Sequence, residues 1–229
     1  MSYHVPDHFK KRRDKVPFAV LCDFDGTIAT TDVGSNFFRT YAGRPEWEEL
    51  IEAWKKGEIG SRDCLTEECR LVRVTRDEVV SFVQTFEIDE YFAAFVRWCD
   101  GREIPLAVVS DGLDFYIAQV LKRFGLSRLP VYANHLRFTD GGIEPEFPHF
   151  EHGCLSCGNC KGYHVREYKK LFGKVIFVGD GYSDRCALEV ADLVLAKKGL
   201  AKLCKLLRKP CFEVEDFRDV RERIEQEII

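Results

Sequence analysis

The sequence predicts an α/β protein: a parallel sheet covered by helices on both faces, with a small helical unit inserted after its first strand. Three observations predict it. Short apolar runs end in polar turns that carry aspartate: residues 18–22 before Asp23, residues 104–109 before Ser110-Asp111-Gly112, and residues 174–178 before Gly179-Asp180-Gly181. From the second run onward, strand and helix patterns alternate. Between the first and second runs, helical patterns follow one another with no strand among them.

Residues 1–16 are polar and basic, with Lys10, Lys11, Arg12, Arg13 and Lys15. No apolar stretch follows that would make a secretory signal, so the run is expected to be a solvated lead-in. Residues 18–22 read as a buried strand that delivers acids at its C-terminal end. Trp47, Leu50, Ile51 and Trp54 then fall on one helical face. Cys64, Leu65, Cys69 and Val72 mark a second helix. Val79, Val80, Val83 and Phe86 mark a third, and Phe92, Phe95, Val96 and Cys99 a fourth. The expected division is a catalytic core of residues 1–31 and 103–229 and a helical cap of residues 32–102.

Beyond the second strand, a helix is expected over residues 114–124, stopped by Gly125. Residues 131–147 form a hairpin pattern turning at Asp140-Gly141-Gly142. A cysteine-rich loop, a helix over residues 161–171 and the third strand follow. Ser183 is placed to cap the next helix. Residues 193–195 suggest a short strand, and Phe217, Val220, Ile224 and Ile228 a closing helix. The whole describes a Rossmann-like three-layer core.

Composition narrows the function. Of the 229 residues, 45% are hydrophobic and 31% charged, which excludes disordered and fibrous classes. The net charge of -4 provides no general basic field for nucleic acid or an anionic membrane. No stretch approaches the roughly 20 apolar residues of a membrane span. Ten cysteines are too few for a disulfide framework at this length. A cytoplasmic, reducing setting is therefore expected, with the thiols serving as core residues, metal ligands or reactive groups.

In an open α/β sheet, the C-terminal strand ends line the ligand crevice. Asp23, Asp25, Ser110, Asp180 and Asp184 are expected to meet there. Clustered carboxylates repel unless a cation neutralises them. An all-oxygen set suits a hard divalent ion, Mg2+ first. Lys161, opening a helix, can add a fixed positive charge. Acids, a hard cation, a lysine and backbone amides form a phosphate-handling set. One carboxylate can attack phosphorus, and a second can shuttle the proton. Each piece alone has an ordinary reading, since Asp-Gly after a strand is common turn chemistry. A calcium-loop reading of residues 180–184 fails, because Tyr182 sits where an oxygen ligand is needed. Asp23-Phe24-Asp25-Gly26-Thr27 directly after a buried strand, with the other elements in order, is far more specific.

These elements resemble the haloacid dehalogenase superfamily of phosphohydrolases, over nearly the whole chain from Pro17. The inserted helices look like the cap of its phosphoserine-phosphatase-like branch. The resemblance implies that Asp23 is the nucleophile that becomes an aspartyl phosphate. It implies that Asp25 is the general acid/base and lends its backbone carbonyl to Mg2+, and that Asp180 completes the metal contacts. Ser110, Asp111, Gly112 and Lys161 would hold the phosphate, with Asp184 behind the metal or the lysine. Residues 21–32, 103–116, 131–161 and 178–195 are also similar to the methionine-salvage enediol-phosphate phosphatases. Pro148-His149 and the cysteines abutting Lys161 are the most distinctive part. The phosphoethanolamine/phosphocholine phosphatases carry a related cysteine-then-lysine segment. Two departures bear on the substrate, a small phosphorylated metabolite. Ser110-Asp111-Gly112 stands where the salvage enzymes tend to have Ser-Gly-Gly. Asp32, a candidate substrate contact beside Phe37, Phe38 and Arg39, stands where phosphoserine phosphatases place a glutamate for the substrate amine.

A phosphotransferase or mutase would share the first motif. Dehalogenases of the superfamily lack an acid two residues after the nucleophile, so Asp25 argues against them. The non-enzyme alternative is a metal-sensing or binding module built on the cysteines.

Cys154, Cys157 and Cys160 form Cys-x2-Cys-x2-Cys. Three thiols so spaced can face one Zn2+, with His149 or His152 as fourth ligand. They can equally pack the loop that positions Lys161, or form a redox switch in which the lysine lowers the Cys160 pKa. Cys22, Cys99 and Cys186 read as core residues.

Overall fold

The structure, a computed structural model, describes residues 4–11, 16–42 and 46–229. Of the basic run, Lys10 and Lys11 border the short helix α1 (Asp7–Lys10), and Arg12, Arg13 and Lys15 lie outside the described residues. Strand β1 (Phe18–Cys22) is the middle of a seven-stranded sheet. It pairs in parallel with β2 (Leu106–Leu113) on one side and β5 (Lys174–Gly179) on the other.

Beyond β2 lies β3 (Val131–Thr139), also parallel, and then β4 (Gly142–Glu146), antiparallel to it. The hairpin turns where the Asp-Gly-Gly signal places it, with Thr139 paired to Gly142. On the other side, β6 (Leu193–Ala196) and β7 (Phe212–Glu213) extend the sheet in parallel. The expected α/β class holds, with one antiparallel edge strand.

The strands read as unbroken apolar runs because both faces are covered. Successive side chains point to opposite faces. Phe18, Val20 and Cys22 enter one hydrophobic cluster, and Ala19 and Leu21 the other. The same split divides Leu106 and Val108 from Ala107 and Val109.

The first face carries the inserted helices α2 (Val33–Ala42), α3 (Glu46–Lys56), α4 (Ser61–Leu71) and α5 (Arg76–Phe82). Helix α2 was not separately expected. The chain segments entering and leaving these helices pair at Ala29 and Ile88. Helix α6 (Phe92–Gly101) precedes β2, and α7 (Asp114–Arg123) follows it. On the second face, α8 (Lys161–Phe172) buries Val165, Tyr168 and Phe172. The short α9 (Arg185–Leu188) and α10 (Lys198–Leu207) join it there. The closing helix α11 (Phe217–Glu227) returns to the first face. It packs on α6, with the Phe217 ring 4.7 Å from Phe92 and 5.3 Å from Phe95. Trp98 Nε1 donates to Glu225 at 3.0 Å across the same contact.

One local expectation changes. Ser183 does not cap the helix after β5; its hydroxyl accepts from Lys161 at 2.9 Å. Asp184 closes the turn instead, its Oδ2 accepting from the amides of Asp180 and Gly181, both at 2.9 Å. The carboxylate accepts from two amides and the lysine at once, more bonds than the two lone pairs of a hydroxyl can take. Among the described residues, no helix is long and apolar enough to cross a membrane.

Candidate active site

The turns after β1, β2 and β5 lie side by side because those strands are adjacent and parallel. They line one cleft of about 250 Å³, closed on the other side by α2, α3 and α4. Asp23, Asp25, Ser110, Asp111, Gly112, Lys161 and Asp180 all line it, with Asp32 and Ser61 from the insert.

Lys161 is the centre of the charged group. Its ammonium lies 2.7 Å from Asp23 Oδ1 and 2.6 Å from Asp184 Oδ1, and is 1% exposed. Burial works against the ammonium, but Asp184 and Asp23 outweigh it and hold its pKa above the ordinary value. Lys161 is therefore a permanent cation. Carboxylate oxygens of Asp23, Asp180 and Asp184 lie within 4.8 Å of one another. Burial pushes Asp23 well above the usual carboxylate range despite the pull of Lys161. Burial and the neighbouring Asp184 push Asp180 up to about 6.

Lys161 and the more distant Lys198, which acts on Asp180, leave the three carboxylates in excess. The donor set is all oxygen and carries excess negative charge, and no hydrogen bond from a described residue reaches the Asp180 side chain. That set fits a hard divalent cation. Gly26, at φ +71°, permits the turn to close over it, because a Cβ there would collide with the Asp180 carboxylate.

Asp25 points toward the insert. Its Oδ1 accepts from the amides of Val33 at 2.8 Å and Gly34 at 3.2 Å, at the start of α2. Its Oδ2 accepts from Tyr116 Oη at 2.9 Å. Burial and the charge of Asp32 raise its pKa to about 7, against the pull of these donors. Asp32 itself accepts from the Ser35 amide and hydroxyl, both at 2.7 Å, the arrangement of a helix N-cap on α2.

Asp111 ties three segments together. Its Oδ2 accepts from the Ser61 hydroxyl on α4, and its Oδ1 from the Asn159 amide at 2.7 Å. Ser61 in turn accepts from the Gly158 amide at 3.0 Å. Asn159 Nδ2 donates to the Ser110 carbonyl at 2.8 Å, and the Gly112 amide donates to Ser110 Oγ at 3.0 Å. The Asp111 carboxylate is thus committed to holding the insert and the cysteine loop against the end of β2. The sequence carried no local signal for Tyr116, Ser61 or Asn159, since each acts on a residue far along the chain.

A profile of the haloacid dehalogenase-like hydrolases matches residues 20–189. The chain belongs to this family. A 2-hydroxy-3-keto-5-methylthiopentenyl-1-phosphate phosphatase of Brevibacillus brevis is 31% identical over 217 residues, covering 92% of this chain and 97% of its own. A phosphatase of the same name from Bacillus pumilus is 32% identical over 211 residues, covering 90% of both chains. Among solved structures, a phosphoserine phosphatase with a phospho-aspartyl intermediate analogue matches with a TM-score of 0.69 at 22% identity, over 91% of this chain and 99% of that one. That likeness shows a common fold.

The cysteine loop differs from the expectation in one respect. Sulfurs of Cys154, Cys157 and Cys186 lie within 4.8 Å of one another. The Cys160 thiol interacts with those of Cys157 and Cys186. Cys186, expected as a scattered core residue, is only partly buried and belongs to this cluster. The histidines turn elsewhere: His152 stacks on Tyr163 at 5.5 Å, and His149 meets the His164 ring at 4.9 Å. Cys22 and Cys99 are core residues as expected.

Proposed function

We propose that this chain is a Mg2+-dependent phosphomonoester hydrolase that acts on a small phosphorylated metabolite through an aspartyl phosphate at Asp23. The observation that carries the proposal is the buried Lys161 between Asp23 and Asp184, with Asp180 beside them.

Asp23, the Asp25 backbone carbonyl and Asp180 are the proposed ligands of Mg2+. The ion would supply charge neutralisation that lets a phosphate dianion approach a carboxylate. Asp23 attacks phosphorus with the carboxylate oxygen that Lys161 orients. Lys161, Ser110 and the amides of Asp111 and Gly112 hold the phosphoryl oxygens. Asp25, with a pKa near neutrality, donates a proton to the leaving oxygen and later removes one from the attacking water. Asp184 holds the lysine and closes the turn that carries Asp180.

The leaving group is proposed to be uncharged and partly apolar, as in the substrate named for the relatives above. Phe38, Ile51, Trp54 and Leu65 line the cleft beyond the acids. Asp32, the candidate partner for a phosphoserine amine, is occupied as a cap, which favours the salvage-type substrate over phosphoserine. A cytoplasmic setting accords with ten cysteines and no disulfide.

A screen with the salvage intermediate, phosphoserine and phosphocholine tests the substrate. Asp23→Asn should lower kcat by about three orders of magnitude or more. In Mg2+, fluoroberyllate should inhibit the native chain and not this variant. Hydrolysis retained in Asp23→Asn, or activity unaffected by chelation, refutes the mechanism.

A further inference from the structure

We propose that Cys154, Cys157, Cys160 and Cys186 hold a structural Zn2+ ion that braces Lys161 and Asp184 from behind. The ion is distinct from the proposed Mg2+, and its detection does not depend on the reaction.

Three of the four sulfurs lie within 4.8 Å of one another, and the fourth, Cys160, interacts with two of them. Cys154, Cys157 and Cys160 come from one loop, while Cys186 comes from α9, beyond β5. Helix α8 approaches α9 closely enough to bring them together. A Cβ on Gly162 would lie 2.5 Å from the Cys186 carbonyl oxygen.

The surroundings supply donors to two of the sulfurs. The Cys157 amide donates to Cys154 Sγ at 3.4 Å. The Arg185 guanidinium lies 3.7 Å from Cys157 Sγ. Amide and guanidinium donors favour charged sulfur over neutral thiol. Four thiolates without a cation would repel strongly, whereas Zn2+ accepts four sulfurs tetrahedrally. Mg2+ would not take this set, because it prefers hard oxygen ligands.

The C-terminal half of the loop is tied down through Gly158 and Asn159, but its first turn is not. Leu155, between the first two cysteines, is 67% exposed and sits at φ +60°. A leucine in the left-handed region is strained and persists only where its neighbours fix it. Burial does not fix this one, and a metal bridging Cys154 and Cys157 would.

The placement gives the ion a role. Cys160 directly precedes Lys161, and Cys186 follows Asp184 by two residues. Lys161 and Asp184 meet at 2.6 Å. A tetrathiolate ion would lock together the two backbones that carry this pair, so the four cysteines are positioning residues.

Elemental analysis of the full chain, prepared under reducing conditions with zinc and passed through EDTA and desalting, should find about one zinc per chain. Iron in its place would overturn the identity of the metal. Co2+ loaded instead should show intense visible bands of tetrahedral coordination and thiolate charge transfer in the near ultraviolet. In Cys186→Ser, zinc should fall to below about a tenth of the native content, or the cobalt bands should shift and weaken. Cys204→Ser, on α10 and outside this cluster, should retain both signals. The native chain's own cobalt spectrum tests the site even where a variant fails to fold. A folded, reduced native chain that binds neither metal, or a cobalt spectrum unchanged by Cys186→Ser, overturns the proposal.

Discussion

Glu68 should make the protein less stable as pH rises, and Glu68→Gln should remove that dependence. Glu68 lies on α4 at 6% exposure, and its Oε1 accepts from Trp47 Nε1 on α3 at 2.8 Å. Burial raises its pKa from 4.5 to about 8, with Asp32 adding to the rise and the Trp47 N–H opposing it. A raised folded-state pKa means that the folded chain binds the proton more tightly than the unfolded one. Its contribution is then fully present below about pH 4.5 and is lost as pH rises through 8. At about 1.4 kcal/mol for each tenfold in proton affinity, the loss is on the order of 4–5 kcal/mol. Glutamine keeps a carbonyl acceptor for Trp47 but cannot ionise. Its amide has no second partner assured, which costs about 1 kcal/mol at every pH. The two chains should therefore differ in slope, with the variant gaining on the native protein between pH 5 and 8. Urea unfolding followed by fluorescence at several pH values measures this, with equal m-values as the control for a common unfolded state. Other acids titrate in the same range, but they are common to both chains and cancel in the difference. Parallel stability–pH curves would refute the reasoning, because they would place Glu68 near its ordinary pKa.

Ser61→Ala removes the donor to Asp111 and the acceptor for the Gly158 amide. It should cost about 1–3 kcal/mol in chemical denaturation and raise KM more than it lowers kcat. Unchanged stability would mean that solvent replaces the hydroxyl. Tyr116→Phe removes a donor that lowers the Asp25 pKa, so the alkaline limb of the pH–rate profile should move upward. A limb that stays in place would assign it to another group.

The sheet was readable because its central strands are buried on both sides, which leaves them as apolar runs ending abruptly in acids. Their adjacency then brought Asp23, Ser110 and Asp180 to one cleft. The short β7 was not readable, since two residues carry no period. Helix α2 was obscured by its Gly34-Ser35-Asn36 opening, whose amides are held by Asp25 and Asp32 rather than by strong local propensity. Side-chain commitments were the least accessible. Asp111 stands in the turn expected to hold phosphate, yet its carboxylate serves Ser61 and Asn159. Cys186 has the setting of an ordinary helix cysteine until α8 brings it to Cys157. Both are facts of tertiary approach, and neither has a spacing that a linear pattern can hold.

Those long-range contacts give the insert a hold on the chemistry that the strand-end motifs do not express. The backbone of Asp25 belongs to the turn after β1, but two of the donors on its carboxylate come from the first amides of α2. Any movement of α2 therefore changes the proton affinity of Asp25. Linkage requires the converse: protonating Asp25 weakens it as an acceptor and loosens the start of α2. Helix α4 reaches the end of β2 through Ser61 and Asp111, so the insert touches acids on both strands. A leaving group seated among Phe38, Ile51, Trp54 and Leu65 would press on α2, α3 and α4 together. Substrate shape would then act on proton transfer through the amides of Val33 and Gly34, without a charged group on the substrate to carry the signal.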